Sequence, residues 1–503
     1  MTNLQGFLLA FTSWELILYL AIGVFIGIYV GAIPGLSVTM AVSLLISFTF
    51  SWDTYPALAI MVGIWTGGVY GGSRSAVLLN IPGAPAAVAT GFDGYPLAQK
   101  GEAGIAMGLS LTESVLGGFV GILILLVASP LISQLATKFA ARDYLLLALM
   151  GLFLVGSLSK GSLVKSLITA FFGVAIGLVG MDSVTAQPRM AFGITSLLGG
   201  LNFVVVMIGL FGLSEAMVQL KTKVEPVKQD VQRIIPSMKL FIKMLPLAIK
   251  SSIIGTLIGA MPGTGGDIAA LIAYDQAKRS VKNPSRPFGE GAYEGVVAPE
   301  SANNACIGGA AIPMMTLGIP GDSVTAILIG ALMIHGIRPG PMLMREQPEF
   351  FYILLGCLVL ANIFLLIFGL TGIRLFCKIV EIPKAIIIPV IIVLSIIGSF
   401  SINNSIIDIY WMFFFGIIGY LFKRYDYPVS TLVLGVILGP IIDTNWRRAV
   451  DICHGNIGEF FMGFVTHPIS LVLLLFIVFM ALPFRVRSGI FSVFKKPFTK
   501  KKA

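Results

Sequence analysis

Over its 503 residues the chain alternates long apolar blocks with short polar connections. The blocks predict helices near 16–31, 36–50, 57–79, 104–128, 144–158, 163–180, 192–212, 245–260, 303–317, 322–334, 350–373, 384–399, 405–422, 428–441 and 464–483. A helix needs about 20 apolar residues to cross a bilayer core. The blocks at 36–50, 303–317, 322–334 and 428–441 fall short and read as half-spans, hairpin arms or re-entrant segments. The first block starts near Leu16 without a basic stretch before it and leads into a Gly/Pro motif, so it reads as a retained helix rather than a cleaved signal. The expected fold class is an all-α polytopic membrane protein with roughly 10–12 spans.

Two motifs recur in the same order. "GIYVGAIPGL" (27–36) and "GTLIGAMPGT" (255–264) share G-x-x-x-G-A-x-P-G at an offset of 228 positions. Further on, Leu79 to Gly83 and Leu317 to Gly321 share Leu-x-Ile-Pro-Gly at an offset of 238. One match could be chance; two at nearly equal offsets point to a duplication. The loops differ in charge. "SFTFSWDTYP" (47–56) has no Lys or Arg, whereas "YDQAKRSVKNPSRP" (274–287) carries Lys278, Arg279, Lys282 and Arg286. Cytoplasmic loops concentrate positive charge, so equivalent loops of opposite bias predict two inverted-topology repeats, with broken helices or re-entrant hairpins, as many secondary transporters have. The chain divides into a first membrane repeat (1–220), a basic cytoplasmic linker (221–243), a second repeat with extra C-terminal helices (244–483) and a basic cytoplasmic tail (484–503).

Composition narrows the class. Hydrophobic residues make up 56% and charged residues 12%, about half the charged share of an average soluble chain. The net charge of +10 sits mostly in short loops between apolar blocks. That pattern is a topology signal rather than a nucleic-acid face. The four cysteines and three histidines are scattered, which argues against a disulfide framework or a zinc site. No Walker loop, G-x-S-x-G or H-E-x-x-H occurs, so the chain reads as neither an ATPase nor another enzyme.

Pro-Gly inside an apolar block breaks the helix, and freed backbone groups in hydrocarbon must find protein or a wet cavity. Half-helix N-termini suit carboxylates, and half-helix C-termini suit sodium. The candidate substrate site is therefore the four breaks Pro34-Gly35, Pro82-Gly83, Pro262-Gly263 and Pro320-Gly321, with Ser73, Ser75, Ser323 and Thr325 beside them. Arg74 lies inside an apolar block and reads either as a bidentate carboxylate anchor or as a snorkelling or structurally paired residue. Glu300, followed by Asn303 and Asn304, and Asp267 are candidates to hold the coupling cation or to cap helices. Asp93, before Gly94, reads as a turn residue. Asp182 and Arg189 read as a loop ion pair, and His335 as a loop or interface histidine.

The blocks "GAIPGLSVTMAVSLL", "YGGSRSAVLLNIPGAPAAVATGFDGYPLAQKGEAG", "GLFGLSE", "GAMPGTGGDIAALIAYDQAKR" and "GEGAYEGVVAPESANNACIGGAAIPMMTLGIPGDSVTAILIGALMIHGIRPGP" resemble the large membrane subunit of tripartite tricarboxylate transporters, the TctA type. The likeness covers about residues 20 to 465. It implies a bacterial inner-membrane uptake system with a periplasmic solute-binding protein and a small membrane subunit. It further implies a sodium or proton gradient as energy source, no cofactor, and di- or tricarboxylates such as citrate as substrate. The family's motif positions fall on Pro34-Gly35, Gly71-Gly72-Ser73, Ile81-Pro82-Gly83, Pro262-Gly263, Asn303-Asn304 and Ile319-Pro320-Gly321. Arg74 is not securely part of that pattern. Other readings are a carrier of aromatic carboxylates or amino acids on the same scaffold, a channel, or an intramembrane enzyme, for which no convergent His or acidic cluster is visible.

Overall fold

The computed structural model describes residues 3–33, 36–80, 82–158, 162–182, 185–220, 236–372 and 384–481. Pro34-Gly35, most of the linker and the basic tail lie outside the described residues. The chain is a multi-pass all-α membrane protein; among the described residues the strands form one two-residue antiparallel ladder, Gly180–Met181 with Pro188–Arg189. Six helices among the described residues are long and apolar enough to cross a membrane, and a pair bent by 89° near the C-terminus gives up to seven.

In chain order the helices are α1 (Asn3–Thr12), α2 (Trp14–Ala32), α3 (Val38–Thr49), α4 (Thr54–Leu79), α5 (Ala87–Gln99), α6 (Ala103–Ala136), α7 (Ala141–Leu158), α8 (Leu163–Gly177), α9 (Phe203–Met207) and α10 (Ser214–Gln219). A π-helical segment, Ile208–Leu213, joins the last two. There follow α11 (Met238–Gly259), α12 (Gly265–Ser280), α13 (Glu294–Leu317), α14 (Ser323–Ile334), α15 (Pro341–Glu346), α16 (Pro348–Thr371), α17 (Lys384–Asn403), α18 (Ile406–Arg424), α19 (Val429–Ile452), α20 (Ile457–Thr466) and α21 (Pro468–Ala481). Helix α11 thus starts inside the stretch read as linker. The blocks at 303–317 and 428–441 are not half-spans: each is part of a 24-residue helix, α13 and α19. Helices α5 and α12 have no counterpart among the apolar blocks.

Each half contains the same sequence of elements: a long helix, a break and a short helix, twice over. In the first half these are α2–α3 and α4–α5, and in the second α11–α12 and α13–α14. The paired long helices lie side by side and run in the same direction. On α2, Gly23 meets Ile60 and Gly63 of α4, and Gly27 meets Ile64. On α11, Gly255 meets Ala302 of α13, and Gly259 meets Cys306. Glycine at every fourth position removes the side chains that would hold the backbones apart.

The ends of α4 and α13 are also alike. Asn80 (φ 54°) and Gly318 (φ 70°) close them in the left-handed conformation, two residues before Pro82 and Pro320. Proline past a left-handed cap stops the helix. The following glycines are pressed into the neighbouring backbone: Gly83 against Gly31 and Gly72, Gly321 against Gly259 and Ala310. Any Cβ there would overlap main-chain atoms.

The short helices separate into two groups. The loops after α5 and α12 adjoin, through Arg286 Nη2 to Glu102 Oε1 at 2.6 Å and Lys100 Nζ to the Glu290 carbonyl at 2.6 Å. The loops after α3 and α14 adjoin elsewhere, where Asp53 and Tyr55 share a cavity with His335 and Ile337. The N-terminal ends of all four line one cavity.

Helices α4 (26 residues) and α13 (24 residues) are as long as the candidate spans but less apolar, and almost every residue along them is buried. Helices α2, α3, α5, α6 and α16 surround α4, while α5, α6, α11 and α12 surround α13. Their polar residues therefore face protein, which is where polar side chains within a membrane are tolerated.

Candidate functional site

A cavity of about 330 Å³ lies where the breaks meet. Ser37, Val38 and Thr39 come from the start of α3, and Ala84, Pro85 and Ala86 from the break before α5. Residues Gly263 to Asp267 come from the break before α12, and Asp322, Ser323 and Val324 from that before α14. Trp65, Val69, Asn303 and Cys306 form walls from α4 and α13. Phe211, Glu215, Lys423 and Ser430 close another side, from the π segment, α10, α18 and α19. The size is at the lower end of the range for small-ligand pockets. A second cavity of about 560 Å³ shares Pro85, Gly263, Thr264, Asp267, Lys423 and Ser430 with the first and continues past Asp426 and Tyr427.

The four helix starts are capped unequally. Ser37 Oγ accepts from Met40 N at 3.0 Å, a neutral cap. Helix α5 starts at Ala86 with no side-chain cap and no acid in its first turn. Asp267 occupies the first turn of α12. Asp322 caps α14, accepting from Thr325 N at 2.7 Å while Thr325 Oγ1 accepts from Asp322 N at 2.8 Å. The first-half breaks are thus uncharged, and the second-half breaks each carry a carboxylate. Each helix start contributes about half a positive charge. Glu215, Asp267, Asp322 and Lys423 are the acidic and basic side chains lining the cavity, and the helix starts add partial positive charge of their own.

Behind the cavity wall a second polar cluster is wholly buried. Glu300 of α13 accepts from Ser73 Oγ of α4, from Thr90 Oγ1 of α5 at 2.5 Å and from Ser114 Oγ of α6 at 2.7 Å. Asn304 Nδ2 donates to Ser114 Oγ at 2.8 Å. Asn303, on the same helix, turns to the cavity and donates to the Val69 carbonyl at 3.3 Å. The carboxylate is therefore one helical turn from the cavity, stitched to three other helices.

The sequence-predicted residues thus fall into groups. Gly263, Asp267, Asn303 and Ser323 line the cavity. Ser73, Glu300 and Asn304 form the cluster behind it. Pro82, Gly83, Pro262, Pro320 and Gly321 build the breaks, Ser75 Oγ donates to the Gly72 carbonyl at 3.1 Å, and Thr325 serves the α14 cap. Arg74 is buried outside the cavity lining, with Nη2 on the Gly369 carbonyl of α16 at 2.7 Å and its guanidinium 5.1 Å from the Tyr70 ring.

Asp93 is not a turn residue. It lies within α5, fully buried, and its Oδ1 accepts from Gly289 N (2.8 Å), Gly291 N (2.9 Å) and Ala292 N (2.8 Å), while Tyr274 OH donates to Oδ2 at 2.9 Å. Tertiary donors outweigh the local turn preference of Asp-Gly. The Asp182–Arg189 ion pair forms as expected and extends to Asp443 and Arg447.

Sequence reading missed Thr90, Ser114, Glu215 and Lys423. Glu215 ends the quoted "GLFGLSE" block, a signal in plain view. Lys423 ends an apolar block, where a lysine ordinarily reads as an interfacial anchor.

A family model described as "Tripartite tricarboxylate transporter TctA family" matches residues 17–434. The chain is similar to an Agrobacterium vitis protein named "Uncharacterized 52.8 kDa protein in TAR-I ttuC' 3'region", at 37% identity over 85% of this chain and 84% of the relative. It is similar to a second from the same organism, "Uncharacterized protein in TAR-II ttuC' 3'region", at 40% identity over 44% of this chain and 89% of that protein. No solved structure matches.

Proposed function

The chain belongs to the tripartite tricarboxylate transporter TctA family, and from that premise we propose that it is the large transmembrane subunit of a binding-protein-dependent secondary transporter that imports di- and tricarboxylates of the citrate kind, driven by a sodium or proton gradient. A small membrane subunit and a periplasmic solute-binding protein are its partners, and it works in the bacterial inner membrane with its C-terminus in the cytoplasm.

The observation that carries this reading is the cavity at the four breaks. The uncharged starts of α3 and α5 suit substrate carboxylates, through free N–H groups and the helix dipole. Asp267 and Asp322 suit the cation. The presence of carboxylates beside partly positive helix starts supports symport: a polyanion bound near Asp267 and Asp322 favours a sodium ion or proton entering with it. Glu300, stitched to three helices one turn away, is the candidate to carry a proton or share a sodium ion with Asn303 and Asn304.

The inverted repeat is supported by geometry. Helices α3 and α12 hold equivalent places in the two halves, yet α3 ends beside α14 and α12 ends beside α5. Alternating access then proceeds by moving the site-bearing helices against their scaffold.

The test is uptake of labelled citrate and succinate into proteoliposomes containing both membrane subunits, with the binding protein outside and either a sodium or a proton gradient. Accumulation above equilibrium with one gradient is expected. Equilibration without concentration, whichever gradient is imposed, would make the protein a channel. Cysteine labelling should place Phe50 and Pro284 on opposite sides; labelling from one side removes the inverted repeat.

A further inference from the structure

Glu215 and Lys423 meet at the cavity wall, Nζ to Oε2 at 2.6 Å, although 208 positions separate them. Both line the cavity, and Lys423 also lines the adjoining one. Among the cavity-lining residues Lys423 is the one with a basic side chain. Its side chain is 26% exposed and that of Glu215 16%, so the pair is partly solvated. A largely buried ion pair pays a desolvation cost that its attraction repays only in part, so stability is a weak reason for two charges held at this wall.

The helix that carries Glu215 is unusual. The six residues before Ser214, Ile208–Leu213, are π-helical, a strained geometry that concentrates at functional sites. Phe211 within it also lines the cavity. Glu215 has a second partner, Gln219 Nε2, 2.9 Å from Oε1, so its carboxylate keeps a donor when Lys423 leaves. Lys423 sits in the last turn of α18 on a flexible stem.

We propose that Lys423 is the docking cation for a substrate carboxylate and that Glu215 holds its place in the empty cavity. An entering carboxylate exchanges with Glu215 on the ammonium, which releases the ion-pair tie between α10 and α18 at the cavity wall and leaves their packing through Gly209, Gly416 and Gly419 in place. Glu215 is thus an internal competitor and the pair a substrate-operated latch. The inference rests on the carboxylate-transport reading and assigns a residue to it.

Calorimetric titration of the purified full-length protein with citrate and succinate tests it, alongside Lys423→Met and Glu215→Gln. Both variants remove the same ion pair, so a purely structural pair predicts effects in the same direction from each. The latch predicts opposite effects: citrate binding weakens about tenfold or more in Lys423→Met, for loss of a charge-assisted bond, and tightens severalfold in Glu215→Gln. Affinities that shift in the same direction, or not at all, overturn the latch. If Lys423→Met does not fold, Glu215→Gln decides alone, and unchanged or weakened binding refutes the proposal. A wild-type protein that binds neither carboxylate overturns the carboxylate reading itself, and the latch falls with it.

Discussion

Replacing Glu300 separates a coupling residue from a structural brace. Three hydroxyls, from Ser73, Thr90 and Ser114, donate to its buried carboxylate. Glu300→Ala leaves all three without their acceptor. Each orphaned donor costs about 1–3 kcal/mol, towards the lower end here because helical Ser and Thr can turn back to a carbonyl four residues earlier. The sum is roughly 3–5 kcal/mol, enough to compromise folding of a marginally stable protein. Glu300→Gln behaves differently. Its remaining oxygen still accepts from Ser73 and Thr90, and its amide can donate to Ser114, whose hydroxyl is free to rotate. The cost falls to about 1 kcal/mol, the difference between charge-assisted and neutral bonds. The glutamine carries neither an exchangeable charge nor a proton to transfer. In proteoliposomes Glu300→Gln should therefore keep citrate exchange down its own gradient and lose ion-driven accumulation, while its melting temperature stays close to wild type. Full gradient-driven accumulation by this variant would refute the coupling role and leave Glu300 as a brace.

Three further outcomes follow from the geometry. Asp93→Ala should lower stability by about 3–5 kcal/mol by stranding three backbone donors, and Asp93→Asn, which keeps one oxygen, by about 1–2 kcal/mol; thermal unfolding and amide exchange at Gly289, Gly291 and Ala292 report both, and equal effects would contradict the assignment. Glu113, on α6 beside Ser114, is fully buried, and neither of its oxygens has a partner among the described residues, so Glu113→Leu should raise stability by about 1–3 kcal/mol; a lower melting temperature would reveal a partner. Arg286 and Tyr293 hold the Glu102 carboxyl below its ordinary value of 4.5. A depressed carboxylate stabilises the fold above the unfolded value and loses that contribution as pH falls through the folded one. The stability gap between wild type and Glu102→Gln should therefore be open at neutral pH and close on acidification below about 4.5. A gap unchanged by pH would disprove the brace.

The apolar blocks located α2, α6 and α16 because those helices face lipid or an apolar neighbour on most sides. They missed α5 and α12, which are short and carry Asp93 buried in protein, Asp267 at the cavity and Asp275 on an exposed turn. The polar start of α13, "EGVVAPES", hid the first third of a full-length helix for the same reason: burial in protein rather than lipid removes the demand for hydrophobicity. The breaks were legible because the same Pro-Gly motifs occur twice in the chain. Thr90 and Ser114 were not, since a hydroxyl in an apolar helix usually bonds its own backbone and nothing local marks the one that reaches a distant carboxylate. Lys423 and Glu215 were invisible as a pair because their meeting depends on how α10 packs against α18.

The two polar clusters hold different kinds of neighbour. Glu300 joins α13 to α4, α5 and α6, and Asp93 ties α5 to the loop before α13. Both fasten one half of the chain to the other. The far wall is different. Phe211 and Glu215 belong to the helix running from Phe203 to Gln219, Lys423 to α18 and Ser430 to α19. The cavity is therefore bounded on one side by helices stitched through buried carboxylates and on the other by helices meeting at a partly solvated ion pair. Breaking the buried contacts costs several kcal/mol, whereas exchanging one carboxylate for another on Lys423 keeps its charge paired throughout. The helices of that wall still pack closely, with Gly209 against Met412 and Gly416 and with Gly419 against Leu210, so exchange at the ion pair does not by itself part them. A substrate that bridges the helix starts and Lys423 would instead tie the two sides of the cavity together, which makes Lys423 the point where binding is felt by both.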